Sequence, residues 1–161
     1  MADTGRVEFI GTEKLSMRFQ QLLASMGKQL MGEIGMFLMT RIKTRTAAGK
    51  DVEGSPFKPY SASYAFFRQK MGRPIDKVDL FFTGSMMGSM TYTETANSVR
   101  VFFAAGFAKS IGRFFGGGKS TSNPEKAYYL NQKRKFFSMS PQDQKDIVHL
   151  VLDSLGEANR R

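Results

Sequence analysis

The sequence predicts a mixed α+β protein, and three stretches predict it. Apolar residues recur every third or fourth position from Leu15 to Leu38, the pattern of one long amphipathic helix. Residues 90–93 and 98–103 read as two strands around a turn. Ser140-Pro141-Gln142-Asp143 is a strong helix start, followed by a stripe of Ile147, Leu150, Val151 and Leu155. The 161 residues suit a single domain, 1–161, large enough to bury a core without disulfides or metals.

The elements follow in chain order. Arg6 to Ile10 alternates in polarity and predicts a short strand with Val7 and Phe9 on one face. Gly11 breaks it, and Thr12 can cap the long helix, expected over 13–46. Its stripe is Leu15, Phe19, Leu22, Met26, Leu30, Ile34, Phe37 and Leu38. Gly27, Gly32 and Gly35 lie inside it at a cost of roughly 1 kcal/mol each relative to Ala, so they point to a bend or to close packing. Met26, Met31, Met36 and Met39 read as core fillers. Ala47 to Pro56 is a loop punctuated by Gly49, Gly54 and Pro56. Tyr60, Tyr64, Phe67 and Met71 predict a second, shorter helix, capped near Ser61 and stopped by Gly72 with Pro74 beyond. Arg68, Lys70, Arg73 and Lys77 read as its solvated decoration. In 80–89 Thr83 can cap a single helical turn.

Val99, Val101 and Phe103 share the core face of the second strand, after a turn at Thr95-Ala96-Asn97 where Asn tolerates positive φ. Residues 106–123 hold Gly116-Gly117-Gly118 and the cations Lys109, Arg113 and Lys119. They predict a loop that is mobile or ordered only on assembly. Asn123, with Pro124 and Glu125, opens a short helix carrying Ala127, Tyr128 and Leu130. Gly156 is the expected end of the last helix, leaving flexible ends at 1–5 and 157–161.

The residues offer little chemistry. There is no Cys, which excludes disulfides and thiolate metal sites. The single histidine, His149, sits mid-helix with no flagged partner, so no dyad, triad or metal cluster is expected. Gly118-Lys119-Ser120 matches the end of a phosphate loop, but the first glycine of that pattern falls on Arg113. Asp76 and Asp79 flank Lys77, and Asp143 and Asp146 suit the start of a helix dipole, so neither pair reads as catalytic. The chain reads as a non-enzyme with no cofactor. It shows no apolar leader, and charges interrupt its longest helix, so no membrane span is expected.

Charge is the remaining signal. Twenty-four basic and 14 acidic residues give +10, of which residues 61–161 supply +7. Such a field favours polyanionic partners, or is simply a soluble basic surface. Arg41, Lys43 and Arg45 lie near the end of the long helix, where cations complement the dipole. Lys133-Arg134-Lys135 suggests a phosphate or acidic contact, while the adjacent Phe136 and Phe137 read first as core.

Short motifs recur in a telling order. Arg41-Ile42-Lys43-Thr44-Arg45 leads to Asp51-Val52-Glu53-Gly54-Ser55-Pro56-Phe57-Lys58-Pro59-Tyr60-Ser61. Asp79-Leu80-Phe81-Phe82-Thr83-Gly84-Ser85-Met86-Met87 follows. Then come Tyr128-Tyr129-Leu130-Asn131-Gln132 and Arg134-Lys135-Phe136-Phe137-Ser138-Met139-Ser140. Across about residues 12–155 this order resembles the tailed-phage virion-morphogenesis family of tail-completion and neck proteins. Gly54, Pro59, Thr83, Gly84, Phe137 and Ser140 are the motif positions that the resemblance marks as structural. It implies a small α+β subunit with a long N-terminal helix and a C-terminal helix packed on a small antiparallel sheet. It further implies a virion protein, assembled in the host cytoplasm, that closes into a ring of six or twelve copies at the neck. Its expected partners are itself, connector or adaptor proteins, tail-tube or terminator proteins, and DNA passing through the lumen without sequence readout. Tail terminator, other minor tail protein and nucleic-acid-binding protein are the alternative readings. Candidate inter-subunit or DNA contacts are Arg41, Lys43, Arg45, Lys109, Arg113, Lys119, Lys133, Arg134 and Lys135.

Overall fold

A computed structural model describes residues 17–105 and 121–158, with side chains described over 27–105 and 121–156. The predicted strand at 6–10, the Thr12 cap, the terminal segment 1–5 and Lys109, Arg113 and Lys119 of the Gly-rich loop lie outside those residues. The order is α1 (Met17–Ala47), α2 (Ala62–Lys70), α3 (Ser85–Gly88), β1 (Met90–Glu94), β2 (Val99–Phe103), α4 (Asn123–Arg134) and α5 (Pro141–Ala158). The protein is mixed α+β, with a two-strand antiparallel sheet packed against α1 and α5. The described residues fall into two compact units. One comprises 17–41, 91–102 and 139–158; the other comprises 42–90, 103–105 and 121–138.

The first unit is built on the predicted stripe. Leu30, Ile34 and Leu38 of α1 are buried, as are Val99 and Val101 of β2 and Ile147 and Val151 of α5. Each such side chain contributes roughly 1.5–3 kcal/mol when fully removed from water. The glycines of α1 divide their roles. Gly27, at φ 60°, is non-helical and kinks the helix. Gly35 lets the sheet approach: a Cβ there would stand 2.6 Å from Tyr92 Cδ2 and 2.8 Å from Val99 Cγ2. Met31 fills the core as expected, but Met36 is exposed, because it lies on the opposite side of the helix from the 30-34-38 stripe.

The α5 start is as read from sequence. Ser140 Oγ accepts from Asp143 N at 3.0 Å, and Asp143 Oδ2 accepts from Ser140 N at 2.8 Å. Two orphan amides are satisfied reciprocally, with Asp in the usual Glu place. The helix does not stop at Gly156 but runs on to Ala158. A helical glycine costs only about 1 kcal/mol, too little to force an end. The β1–β2 turn is closed by Thr95 N donating to Ser98 O at 2.8 Å. Asn97 does not adopt positive φ; among the described non-glycine residues only Leu80 does.

In the second unit Ile42, Phe57, Val78, Met86, Met87, Met90, Phe103, Ala127 and Phe136 are buried. Phe136 and Phe137 pack on Phe103, with ring centroids 6.2 and 5.0 Å away; Phe136 is core as expected, while Phe137 is half-buried. Ser61 caps α2 through Tyr64 N. Tyr60 precedes the helix instead of opening it, and Met71 ends it as an exposed C-cap. Helix α4 starts one residue earlier than expected. Its cap is Ser122, in a capping box with Glu125, and Asn123 is already helical and buried. A serine with glutamate three residues on satisfies two amides where asparagine would satisfy one. Hydrogen bonding to Ser122 accordingly holds the Glu125 carboxyl below its ordinary range.

Two glycines three residues apart on α1, Gly32 and Gly35, differ in their surroundings, and their alanine variants test this. Gly35→Ala is expected to destabilise by about 1–3 kcal/mol through overpacking against Tyr92 and Val99. Gly32→Ala, where a Cβ meets nothing within 4 Å, is expected to stabilise by up to about 1 kcal/mol. Urea denaturation of the two variants measures both signs.

Candidate functional site

Four aromatic rings collect around one guanidinium in the second unit. Tyr60 and Tyr64 meet edge to face at 5.1 Å, and Phe67 stacks on Phe82 at 5.6 Å. Arg68, expected to be solvated, is 1% exposed. Its guanidinium lies 4.6 Å from the Tyr60 ring centroid and 5.9 Å from that of Phe82. Burying a guanidinium demands partners for its N–H groups. Nε donates to Pro74 O at 3.0 Å, Nη1 to Phe81 O at 3.0 Å, and Nη2 to Asp79 Oδ1 at 3.2 Å.

Asp79 is the counter-charge and a hub. The same Oδ1 accepts from Tyr60 Oη at 3.2 Å and from Phe81 N at 2.9 Å. These bonds hold the chain through Leu80, which sits at φ 54°. A left-handed leucine costs roughly 1–2 kcal/mol, so the network has to offset it. Tyr60 pays its own toll: burial first, with Asp79 adding and Arg68 opposing, pushes its phenol from 10.0 up to about 12.

The strained turn delivers the sequence motif 79–87 to a groove. Phe81 lies over Gly84, whose φ is 78°; a Cβ there would be 2.8 Å from the ring. Thr83 Oγ1 accepts from Ser85 N at 3.4 Å, so the cap position of α3 is Gly84 and not Thr83. Ser85 Oγ then donates to Asn123 Oδ1 at 3.2 Å, joining α3 to α4. The groove has a volume of about 510 Å³ and is lined by Lys43, Ala47, Lys77, Asp79, Phe81, Gly84, Met87 and Gly88. Sequence reading found this motif, with Asp79 at its head, but read Arg68 as solvated and missed their pairing. Eleven residues separate the two, and α2 ends between them at Lys70, so no local period links them.

The sequence-predicted cations are scattered. Arg41 ion-pairs with Asp146, lies 3.5 Å from Asp143 and 5.4 Å from the Phe37 ring. Arg45 donates to Ser138 O at 2.6 Å and Phe136 O at 3.4 Å. Arg134 donates to Lys58 O at 3.3 Å and lies 5.7 Å from the Tyr60 ring. Lys43 lines the groove, while Lys133 and Lys135 are exposed. Of the other motif positions, Gly54 (φ 85°) closes the turn in which Asp51 Oδ1 accepts from Glu53 N and Ser55 N, and Pro59 is exposed. His149 is exposed on α5. Among the described residues no group of three or more His, Cys, Asp or Glu could hold a metal ion.

Charge separates by unit. The described residues of the second unit hold twelve basic and five acidic side chains, so +7. Those of the first hold five and six, so −1. The network fixes the turn that shapes the groove, which lies in the more basic of the two units.

Two measurements test the network. Arg68→Lys and Arg68→Met are both expected to destabilise by about 3–5 kcal/mol in urea denaturation, because neither replaces the three-way donation to Pro74, Phe81 and Asp79. Tyr60 gives a pH signature. Its folded pKa lies above the unfolded value, so its contribution is full below pH 10 and is lost as pH rises towards about 12. Stability measured across that window is expected to fall more steeply for the parent chain than for Tyr60→Phe.

The comparisons fit this picture. The model of the phage virion morphogenesis family matches residues 10–156. No curated protein and no solved structure matches the chain. With nearly its whole length matched, and the motif 79–87 built into the groove, the chain belongs to the phage virion morphogenesis family.

Proposed function

We propose that this chain is a subunit of a closed ring at the neck of a tailed phage, completing the tail or joining it to the head, with DNA passing through the lumen. The observation that carries this reading is the family match over residues 10–156. The family serves virion morphogenesis, which implies a structural, non-enzymatic role among other virion proteins. Among the described residues no helix is long and apolar enough to cross a membrane.

The surface supports self-assembly. Phe66, Tyr129, Val148 and Leu152 are large apolar side chains left exposed on three different helices. Copies of the chain can bury such side chains on assembly. Identical subunits close a ring when two different surfaces of one chain meet head to tail. A +7 unit suits a channel that DNA traverses, since phosphate attraction is independent of sequence. Of the described candidate contacts, Lys133, Lys135 and Lys43 are the ones least engaged inside the chain, and they are the proposed positions for partner or DNA contact.

The same cations favour a second reading, a nucleic-acid-binding protein, and two experiments separate the two. Negative-stain microscopy and mass photometry of the purified chain are expected to show rings, and labelling of virions is expected to place it at the neck. A chain that stays monomeric and is absent from virions overturns the ring. Duplex DNA affinity titrated against salt is expected to be weak and lost at modest salt; tight binding with a steep slope near physiological salt favours the second reading.

A further inference from the structure

We infer that the outer face of α4, together with Lys58, is the face of this chain that meets the phosphate backbone of duplex DNA. The inference rests on the ring reading, in which this face lines the channel, and it names the contact. Helix α4 has two sides. Asn123 and Ala127 are buried, whereas Glu125, Tyr128, Tyr129, Gln132 and Lys133 are exposed and recur every third or fourth position. Lys135 is exposed just beyond the helix end. Tyr128 and Tyr129 are 43% and 59% exposed, with ring centroids 5.6 Å apart.

The end of this face is held from within. Arg134 turns inward: its Nη2 donates to Lys58 O at 3.3 Å, and its guanidinium lies 5.7 Å from the Tyr60 ring. Val52 N donates to Lys135 O at 3.0 Å, and Asn131 Oδ1 accepts from Phe137 N at 2.8 Å. These bonds fix the backbone of Lys58 and Lys135 at the last turn of α4. Lys58, Lys133 and Lys135 are exposed, and none forms an ion pair with a described residue. Six cations stand against three carboxylates over residues 50–60 and 123–135. Two of those carboxylates are engaged: Asp51 Oδ1 accepts from Glu53 N and Ser55 N, and Glu125 Oε2 accepts from Ser122 N and Oγ.

The placing of the cations selects the ligand. A guanidinium grips an anion through a fixed fork, and here the arginine is turned in. The cations left outside are lysines, point charges on long stems that attract phosphate without fixing its angle. The centres of protein interfaces are depleted in lysine, whose side chain is costly to order and desolvate. Tyr128, Tyr129 and Gln132 add hydroxyl and amide donors of the kind that reach phosphate oxygens. A row of donors that attracts backbone charge and reads no base suits DNA moving through a ring.

Binding of duplex DNA titrated against salt at low ionic strength tests it, with mass photometry of the same proteins. Each phosphate contact contributes about 0.9 to the slope of log affinity against log salt, so Lys58→Gln, Lys133→Gln and Lys135→Gln combined are expected to flatten the slope by about 2.7 and to weaken binding about tenfold or more. Gln132→Lys is expected to steepen the slope by about 0.9. Tyr128→Phe with Tyr129→Phe removes two hydroxyls and no charge, so affinity is expected to fall several-fold at an unchanged slope. All six side chains are exposed, so folding, checked by circular dichroism, and ring formation are expected to survive. An unchanged slope in the lysine variant, or a parent chain with no measurable binding at low ionic strength, overturns the inference and leaves the ring reading standing. Lost ring formation with DNA binding intact assigns the face to a neighbouring protein and also overturns it. The expected slopes in a parent chain that never forms rings support the phosphate contact and overturn the ring reading.

Discussion

A guanidinium removed from water has to recover its hydrogen bonds from the protein, and Arg68 recovers them from three separate places. It takes Pro74 O, Phe81 O and Asp79, and so ties α2 to two parts of the loop that follows it. That tie joins the Asp79 bonds to Phe81 N and Tyr60 in holding Leu80 at positive φ, and it adds a side-chain anchor to the exposed loop 69–77 at Pro74. A hydrophobic side chain of similar volume would fill the space and avoid the desolvation cost. It would not aim three backbone segments at once. Arg68 therefore sets the geometry of this region, and removing it alone leaves Asp79 and two carbonyls without their donor.

The two units use arginine differently. Arg68 is enclosed by aromatic rings, whereas Arg41 lies near the surface, spanning Asp143 and Asp146 at the start of α5. Asp143 also closes the reciprocal cap with Ser140, so one carboxylate both starts the helix and meets α1. In the same unit Gly35 removes the side chain that would keep the sheet from α1. Shape there comes from small clearances; in the other unit it comes from a polar network under an aromatic lid.

These features suit a morphogenesis protein. Such a protein does its work through surfaces. The surfaces here are uneven in charge, +7 against −1 across the described residues of the two units, and several large apolar side chains are left for partners to cover. Phe81 and the motif around it shape a groove that no single side chain's chemistry explains.

Local rules determined most of the elements. The 30-34-38 stripe, the Ser61 cap, the Val99–Val101–Phe103 alternation and the Ser140–Asp143 helix start depend on residues within a turn or two of each other, so they are legible in sequence. The single-residue slips at Ser122 and Gly84 are also local, and reflect competition between neighbouring caps. What the tertiary structure decided was the fate of charge. Arg68, Arg73 and Asp79 look alike on paper as hydrophilic residues beside a helix, yet Arg68 is buried and Arg73 exposed. The difference arises because Asp79 and two carbonyls, brought round by the chain turn at 72–80, supply enough hydrogen bonds to replace water for one cation and not for the other.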